Sequence, residues 1–372
     1  LAMTYAHWDM WSIDMSALYM AGRFAASGEW SEIYNAPHDF FSKDIPPRWA
    51  EEIAALGYEG EIPVPYVYPP LWAFLLAPFA GTTDPMVFFN ITRIPMLVAY
   101  SGSILLAWRL MQPAGLRATY FVLTAIIISS VTIPFLFSAS LNQPQLLVVF
   151  LILLAFERYS AGKCTTAGVI LGLAASLKIS PIFMVLIFIA DRNWRATMIC
   201  FATAGGIAAL SFVVAGPDLH WMFLDRLRDV SGLVPLRGFN MTFETFVYDF
   251  FAPLKMHETS LNELLGVDTP AVTLAGQVAM LLSLGGVLWV TRNLEDAVRL
   301  RFRVILVYTI SAWFGPIAWL HYYTLPLLLA PGLLGVWSLR QVVLITGLMV
   351  AGFCEPVMMG LLDHALQHNS YM

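Results

Sequence analysis

Seven runs of mostly apolar residues punctuate the chain, near 85–108, 117–137, 196–215, 270–290, 301–319, 322–338 and 341–361. Each is close to the roughly 20 residues that an α-helix needs to cross a bilayer, so each predicts a span. Three shorter runs, near 144–156, 165–177 and 180–190, flank Asn142-Gln143-Pro144-Gln145 and Lys178-Ile179-Ser180-Pro181. Interrupted helices persist at membrane depth only where protein or a water-filled cavity satisfies their free backbone groups. These three therefore predict partial spans. The run Leu71 to Ala80 is too short to cross and predicts an element dipping into the interface. The expected fold is all-α and polytopic, with about ten spans or partial spans.

Orientation follows from basic residues in short loops, which mark the cytoplasmic side. Arg109 and Arg117, Arg158 and Lys163, Arg192 and Arg195, then Arg292, Arg299, Arg301 and Arg303, and finally Arg340 occupy alternate short loops. The opposite side then holds residues 1–70, 138–143, 216–268, the neighbourhood of Leu320 and the C-terminal tail, with most of the acids. Residue 1 falls outside, which predicts a further span upstream from a cytoplasmic N-terminus. Four units are expected: a first extracytoplasmic loop (1–70), an N-terminal transmembrane module (71–215), a second large extracytoplasmic loop with an interfacial helix (216–268) and a C-terminal transmembrane module (269–372).

Composition supports a lipid solvent. Hydrophobic residues are 59% of the chain and charged residues 12%, with mean hydropathy +0.71. A soluble domain carries about a quarter charged residues, so this chain cannot cover itself with water-facing side chains. The net charge of −5 leaves no electrostatic footprint for nucleic acid. Cys164, Cys200 and Cys354 lie in or beside apolar stretches without metal-ligand spacing and read as small core residues.

Polar residues at membrane depth are the candidates for chemistry. Ser12 is placed to cap a helix running to about Ala26, which sets Asp14 in its first turn. The positive end of that helix is expected to keep the carboxylate ionised. An ionised carboxylate at the outer face can take a proton from an attacking hydroxyl, although a first-turn Asp also simply stabilises its helix. Gly28 is expected to end the helix. Tyr66-Val67-Tyr68-Pro69-Pro70 forces an extended return to the membrane, and its tyrosines equally suit an interfacial belt. Amides in Asn142-Gln143-Pro144-Gln145 suit hydroxyl-rich ligands, but a capped turn uses the same residues.

Lys178, between two short apolar runs, is a counter-charge for phosphate unless it merely snorkels to the interface. Arg93 invites the same reading, with Asp84 as an alternative ion-pair partner. In the loop from Gly216 to Asp268, Trp221, Met222, Phe223, Leu224 and Leu227 predict a helix in the interface plane. Arg226, Arg228 and Arg237 beside it match phosphate in bidentate geometry, or contact anionic lipids generally. His321, in Trp319-Leu320-His321-Tyr322-Tyr323, is an interfacial hydrogen-bonder or a contact to a pyranose or phosphate. No nucleotide-binding glycine loop, zinc-protease motif or metal-spaced acid cluster is visible, so no metal or cofactor is expected.

The order of these motifs resembles glycosyltransferase family 87: Asp14 and Tyr19, Gly28 and Tyr34, Tyr68-Pro69-Pro70, Asn142-Gln143, Lys178 to Pro181, then the basic loop Arg192-Asn193-Trp194-Arg195. Trp319-Leu320-His321-Tyr322 is similar to a tryptophan–histidine motif near that family's C-terminal spans, and the likeness runs from about residue 10 to about residue 335. It implies a GT-C-type membrane enzyme using a polyprenyl-phosphate sugar, independent of sugar nucleotides and metal, with inversion at the anomeric carbon. It implies that an acid of the first extracytoplasmic loop is the catalytic base, and Asp14 stands there. Donor phosphate is assigned to Lys178 with Arg237, Arg228 or Arg226, and substrate contacts to Tyr19, Tyr68, Asn142, Gln143, Asn240 and His321. Two departures are visible: the family's first span is missing ahead of Asp14, and an acidic insertion, His38 to Glu61, carries Asp44, Glu51, Glu52, Glu59 and Glu61.

The expected function is a mannosyl or other hexosyl transfer from a polyprenyl-phosphate sugar to a lipid or glycan acceptor at the outer face of the cell membrane. A secondary transporter also has broken helices around polar groups, but the chain shows no two-fold repeat and its polar residues gather on one side. A non-catalytic lipid-binding subunit is the third class.

Overall fold

The computed structural model describes residues 5–35, 45–112, 117–232, 240–251 and 270–353. Among these the regular elements are all helices, joined by turns and extended segments, with an antiparallel bridge between Asn240 and Trp319. Two hydrophobic cores organise it.

The first core gathers α1 (Ile13–Ser27), α2 (Pro47–Ala55), α3 (Pro70–Ala80) and the start of α4 (Pro85–Met111). Helix α1 stops where expected, at Gly28 with φ 78°, a left-handed conformation that costs glycine little. Helix α4 starts at Pro85, and the Asp84 carboxylate accepts the Met86 N–H at 2.8 Å. That capping role, together with a hydrogen bond from Tyr58, occupies Asp84, which does not pair with Arg93. Tyr19, Phe24, Ile33, Tyr34, Trp49 and Tyr66 fill this core. Gly22 lets α1 lie against α3; a Cβ there would stand 2.9 Å from the Cβ of Ala80.

The second core is a bundle of α4, α5 (Ala118–Val131), α6 (Ile133–Ser140), α7 (Gln145–Ser160), α8 (Cys164–Leu177), α9 (Val185–Ala190) and α10 (Trp194–Gly232), then, past α11 (Phe243–Phe251), which lies against the next helix, α12 (Pro270–Val290), α13 (Asp296–Trp313), α14 (Thr324–Leu329) and α15 (Leu339–Phe353). Three described stretches are long and apolar enough to cross a membrane: Pro85–Met111, Trp194–Asp229 and Pro270–Asn293. A fourth is reached if the pair α6 and α7, bent by 120°, counts as one.

Three predicted spans take a different form. The run 117–137 breaks at Thr132 (φ −112°, ψ 133°), because Pro134 has no N–H to give and its ring collides with a carbonyl one turn back. The run 196–215 continues past a break at Gly216 (φ 74°, ψ 168°) and Pro217 into a second helical segment. That segment buries Leu219 and Phe223 in the first core and leaves Trp221 and Leu224 exposed. The run 322–338 divides into two 3-10 segments around α14, and its residues from Leu320 to Leu333 are buried by protein. A segment apolar on all sides suits an enclosed position as well as a lipid-facing one.

Within the bundle, α8 and α10 touch backbone to backbone. A Cβ on Gly168 would lie 2.5 Å from the carbonyl oxygen of Ala196, and one on Gly172 would lie 2.7 Å from that of Cys200. Small residues four apart allow this approach where lipid supplies no hydrophobic drive. At one end of the bundle, Glu157 pairs with Arg109 at 2.7 Å and with Arg158. Nearby, Asp191 receives Arg303 at 2.5 Å and the Tyr159 hydroxyl at 3.1 Å. Helix α7 joins this end to Gln145, about 18 Å away at helical rise.

Candidate functional site

The second end of α7 meets the first core, and there the charged residues converge. Asp14, in the first turn of α1, accepts a hydrogen bond from Gln143 Nε2. Gln143 Oε1 accepts from the Tyr68 hydroxyl at 3.2 Å, and the Tyr68 carbonyl is held by the Tyr34 hydroxyl at 2.6 Å. Asn142 takes the left-handed turn before them (φ 53°) and anchors it by donating to Phe89 O and Thr92 Oγ1.

Lys178 ends α8 in extended conformation, so its side chain leaves the helix toward the same cluster. Its ammonium donates to Gln145 Oε1 at 3.1 Å and stands 4.1 Å from the centre of the Tyr322 ring. Gln145 in turn donates from Nε2 to the Tyr308 hydroxyl at 2.9 Å. His321 stacks on Tyr322 at 5.1 Å and is buried, and neither of its ring nitrogens has a hydrogen-bond partner among the described residues. Trp72 Nε1 ties α3 to Ser176 O, just before Lys178, which locks the two cores together at this seam.

The electrostatics differ from expectation. Burial raises the Asp14 carboxyl to about 6, against the lowering effects of Lys178 and of the Gln143 hydrogen bond. Desolvation outweighs the helix end that was expected to hold it fully ionised. A carboxylate so tuned is still ionised at neutral pH and is a stronger base than an exposed one. Ser12 is the N-cap by backbone geometry, but its hydroxyl makes no cap bond to α1. It accepts instead from Arg93 Nη2 at 2.6 Å, which tethers the start of α1 to α4. Arg93 is 3% exposed, so it acts from inside the protein.

Among the described residues, the other candidates do not touch Asp14 or Lys178 directly. The Tyr19 hydroxyl donates to Thr83 O at 2.8 Å, with its ring packed on Phe88 and Phe89. Arg226 is buried and donates to Tyr34 O at 2.7 Å while pairing with Asp229 at 3.1 Å. Arg228 is exposed and pairs with Asp225 at 2.7 Å. Asn240 Oδ1 accepts from Ala318 N at 2.9 Å, bracing the segment that leads to His321. Arg237 lies outside the described residues, as does part of the acidic insertion. Tyr322 and Tyr308, given no role in advance, join the cluster, and Gln145, read only as one amide of Asn142-Gln143-Pro144-Gln145, joins it as the partner of Lys178. Gln145 carried a signal as the second glutamine of Asn-Gln-Pro-Gln, whereas Tyr308 lies inside an apolar run with nothing to mark it.

Comparison with known proteins places this arrangement in context. The chain is 28% identical over 295 residues to a polyprenol-phosphate-mannose-dependent alpha-(1-2)-phosphatidylinositol mannoside mannosyltransferase of Mycobacterium tuberculosis, covering 76% of this chain and 65% of that protein. It is 27% identical over 176 residues to the corresponding pentamannoside mannosyltransferase of Mycolicibacterium smegmatis, covering 47% of this chain and 42% of that relative. The chain thus spans less than two thirds of the length of these relatives. No solved structure matches it. The model of glycosyltransferase family 87 matches residues 66–316, a range that includes Tyr68, Gln143, Gln145 and Lys178 and excludes Asp14 and His321. With that match over more than half of its length, the chain belongs to glycosyltransferase family 87.

Proposed function

We propose that this chain is a membrane glycosyltransferase that moves a hexose, mannose first, from a polyprenyl-phosphate sugar to a lipid or glycan acceptor at the extracytoplasmic face. The observation that carries the reading is the pairing of Asp14 and Lys178 across Gln143-Pro144-Gln145, a base and a cation held by amides two positions apart. The names of the relatives support the donor and favour a phosphatidylinositol mannoside as acceptor.

In this mechanism the acceptor hydroxyl oxygen attacks the anomeric carbon as the bond from that carbon to the phosphate oxygen breaks. Asp14 takes the hydroxyl proton. The lipid phosphate leaves carrying the bonding electrons, and its growing negative charge is stabilised by Lys178, where a preorganised cation contributes most to rate. A single in-line displacement inverts the anomeric centre. His321 and Tyr322 flank the phosphate or sugar, Tyr68 and Gln143 hold the base in place, Asn142 anchors the turn that carries Gln143, and Asn240 braces the segment leading to His321. Lys178 is the primary phosphate ligand, and Arg237, which lies outside the described residues, stays a candidate by residue type alone. Arg226 and Arg228 already hold Asp229 and Asp225 respectively, and Tyr19 supports α1 from the core.

The test uses membranes supplied with labelled polyprenyl-phosphate mannose and a phosphatidylinositol mannoside. Asp14→Asn is expected to abolish transfer while donor binding persists, and Lys178→Ala to weaken donor use. Full transfer by Asp14→Asn removes the assigned base.

A further inference from the structure

The amide of Gln145 has two faces, and both are committed. Its Nε2 donates to the Tyr308 hydroxyl at 2.9 Å, inside the bundle, and its Oε1 accepts from Lys178 at 3.1 Å. The side chain is 1% exposed, so no water competes for either face. Lys178 decides which way round the amide sits, because an ammonium only donates whereas the Tyr308 hydroxyl can donate or accept. Reversal would aim an N–H at an ammonium, while the Tyr308 hydroxyl would simply donate to the carbonyl oxygen instead of accepting. The oxygen is therefore pinned toward Lys178, and the ammonium is drawn over the Tyr322 face rather than out along its flexible four-carbon stem.

We propose that Gln145 is a positioning residue for Lys178, with Tyr308 anchoring the far face of its amide. The inference rests on the donor-phosphate role assigned to Lys178 above and deepens it. Without Gln145 the ammonium keeps its charge but loses its place, and a cation displaced by an ångström stabilises the departing phosphate far less.

The experiment is a double-mutant cycle on transfer from labelled polyprenyl-phosphate mannose, with thermal melts of each purified variant. Gln145→Leu is expected to lower kcat/KM for the donor about tenfold to a hundredfold, the range for one hydrogen bond to a charged group. KM for the acceptor should stay within about twofold, because the phosphate side of the site is what moves. Gln145→Leu added to Lys178→Ala should cost nothing further, since Gln145 acts through Lys178. Gln145→Glu keeps the shape but sets a full negative charge against the ammonium, so donor use falls although the fold is retained. Should Gln145→Leu fail to fold, Tyr308→Phe carries the test, with an expected loss of about threefold to tenfold that again vanishes in the Lys178→Ala background. Additive losses with Lys178→Ala, or wild-type donor use by Gln145→Glu, overturn the positioning role alone. A Lys178→Ala variant with unchanged donor kinetics overturns the phosphate reading itself, and the inference with it.

Discussion

The two cores of this molecule are built by different rules. The core around α1 is aromatic, and its rings carry polar handles that find backbone partners: Tyr34 on Tyr68 O, Tyr66 on Pro69 O, Trp49 on Glu32 O. Its rim is a partly exposed ion-pair chain, with Arg23 on Glu52 and Arg48 on both Glu29 and Glu52. The bundle core is mainly aliphatic, with Ile152, Leu153, Leu171, Val304 and Leu325 buried around fewer rings such as Phe121, Phe156 and Phe188. At Gly168 and Gly172 it brings one helix against the backbone carbonyls of another, where Gly22 in the first core meets the side chain of Ala80. Burial from water drives the first design. In lipid that drive between helices is lost, and close packing replaces it. The candidate site lies on the seam between the two designs. There Asp14 is desolvated enough for its carboxyl to rise to about 6, while Gln143 and Lys178 still stabilise its ionised form.

The sharpest way to probe that seam is Asp14→Asn. Transfer is expected to fall at least a hundredfold, the usual weight of a general base. In the wild type, activity should decline as pH falls through about 6, because the base becomes protonated. Stability should move the other way. The folded carboxyl binds its proton more tightly than the unfolded one, whose value is near 3.8, so its ionised form opposes folding at pH values above that window. Asp14→Asn should therefore melt higher than wild type at pH 8, with the gain shrinking toward pH 4. A variant that loses activity and melts lower at pH 8 would count against a desolvated base.

In the bundle, Gly172→Leu should overpack the contact of α8 with α10 and cost about 3 kcal/mol, read as a lowered melting temperature in detergent. A neutral result would mean that backbone approach does not hold this core. Tyr34→Phe should cost the aromatic core about 1 kcal/mol, since the buried Tyr68 carbonyl loses its donor. It should also loosen Tyr68 and reduce transfer modestly, which joins packing in one core to chemistry at the seam. The smallest effect belongs to the rim. A double-mutant cycle on Arg23 and Glu52 should return a coupling of about 0.5 kcal/mol that fades in high salt, as partly exposed pairs do.

Local chemistry made part of this arrangement readable in advance. Gly28 ends α1, Pro85 begins α4, and Lys178 stands out as a cation between short apolar runs. The candidate site was half legible for the same reason: a charged residue in an apolar setting advertises itself, as Asp14 and Lys178 do. Tyr308 did not, because a phenol in such a run is chemically unremarkable until its partner is known, and Gln145 stood out only as one amide of Asn142-Gln143-Pro144-Gln145, without its partner. Arg226 was attractive as a phosphate ligand by residue type, yet the helix bearing it turns it toward Tyr34 O.

The sequence by itself determined the helical class, the lipid-compatible composition and the main chain breaks, since run length, proline and glycine act within a few residues. It did not show how far a proline's influence reaches; Pro134 divides a run of apolar residues that otherwise predicts one span. Tertiary structure alone decided that Gln143 meets Asp14 across 129 positions, that Ser12 serves Arg93 rather than its own helix, and that Gln145 holds Lys178. Such pairings depend on which helix faces pack together, and that choice is made by the whole set of contacts rather than by any local segment.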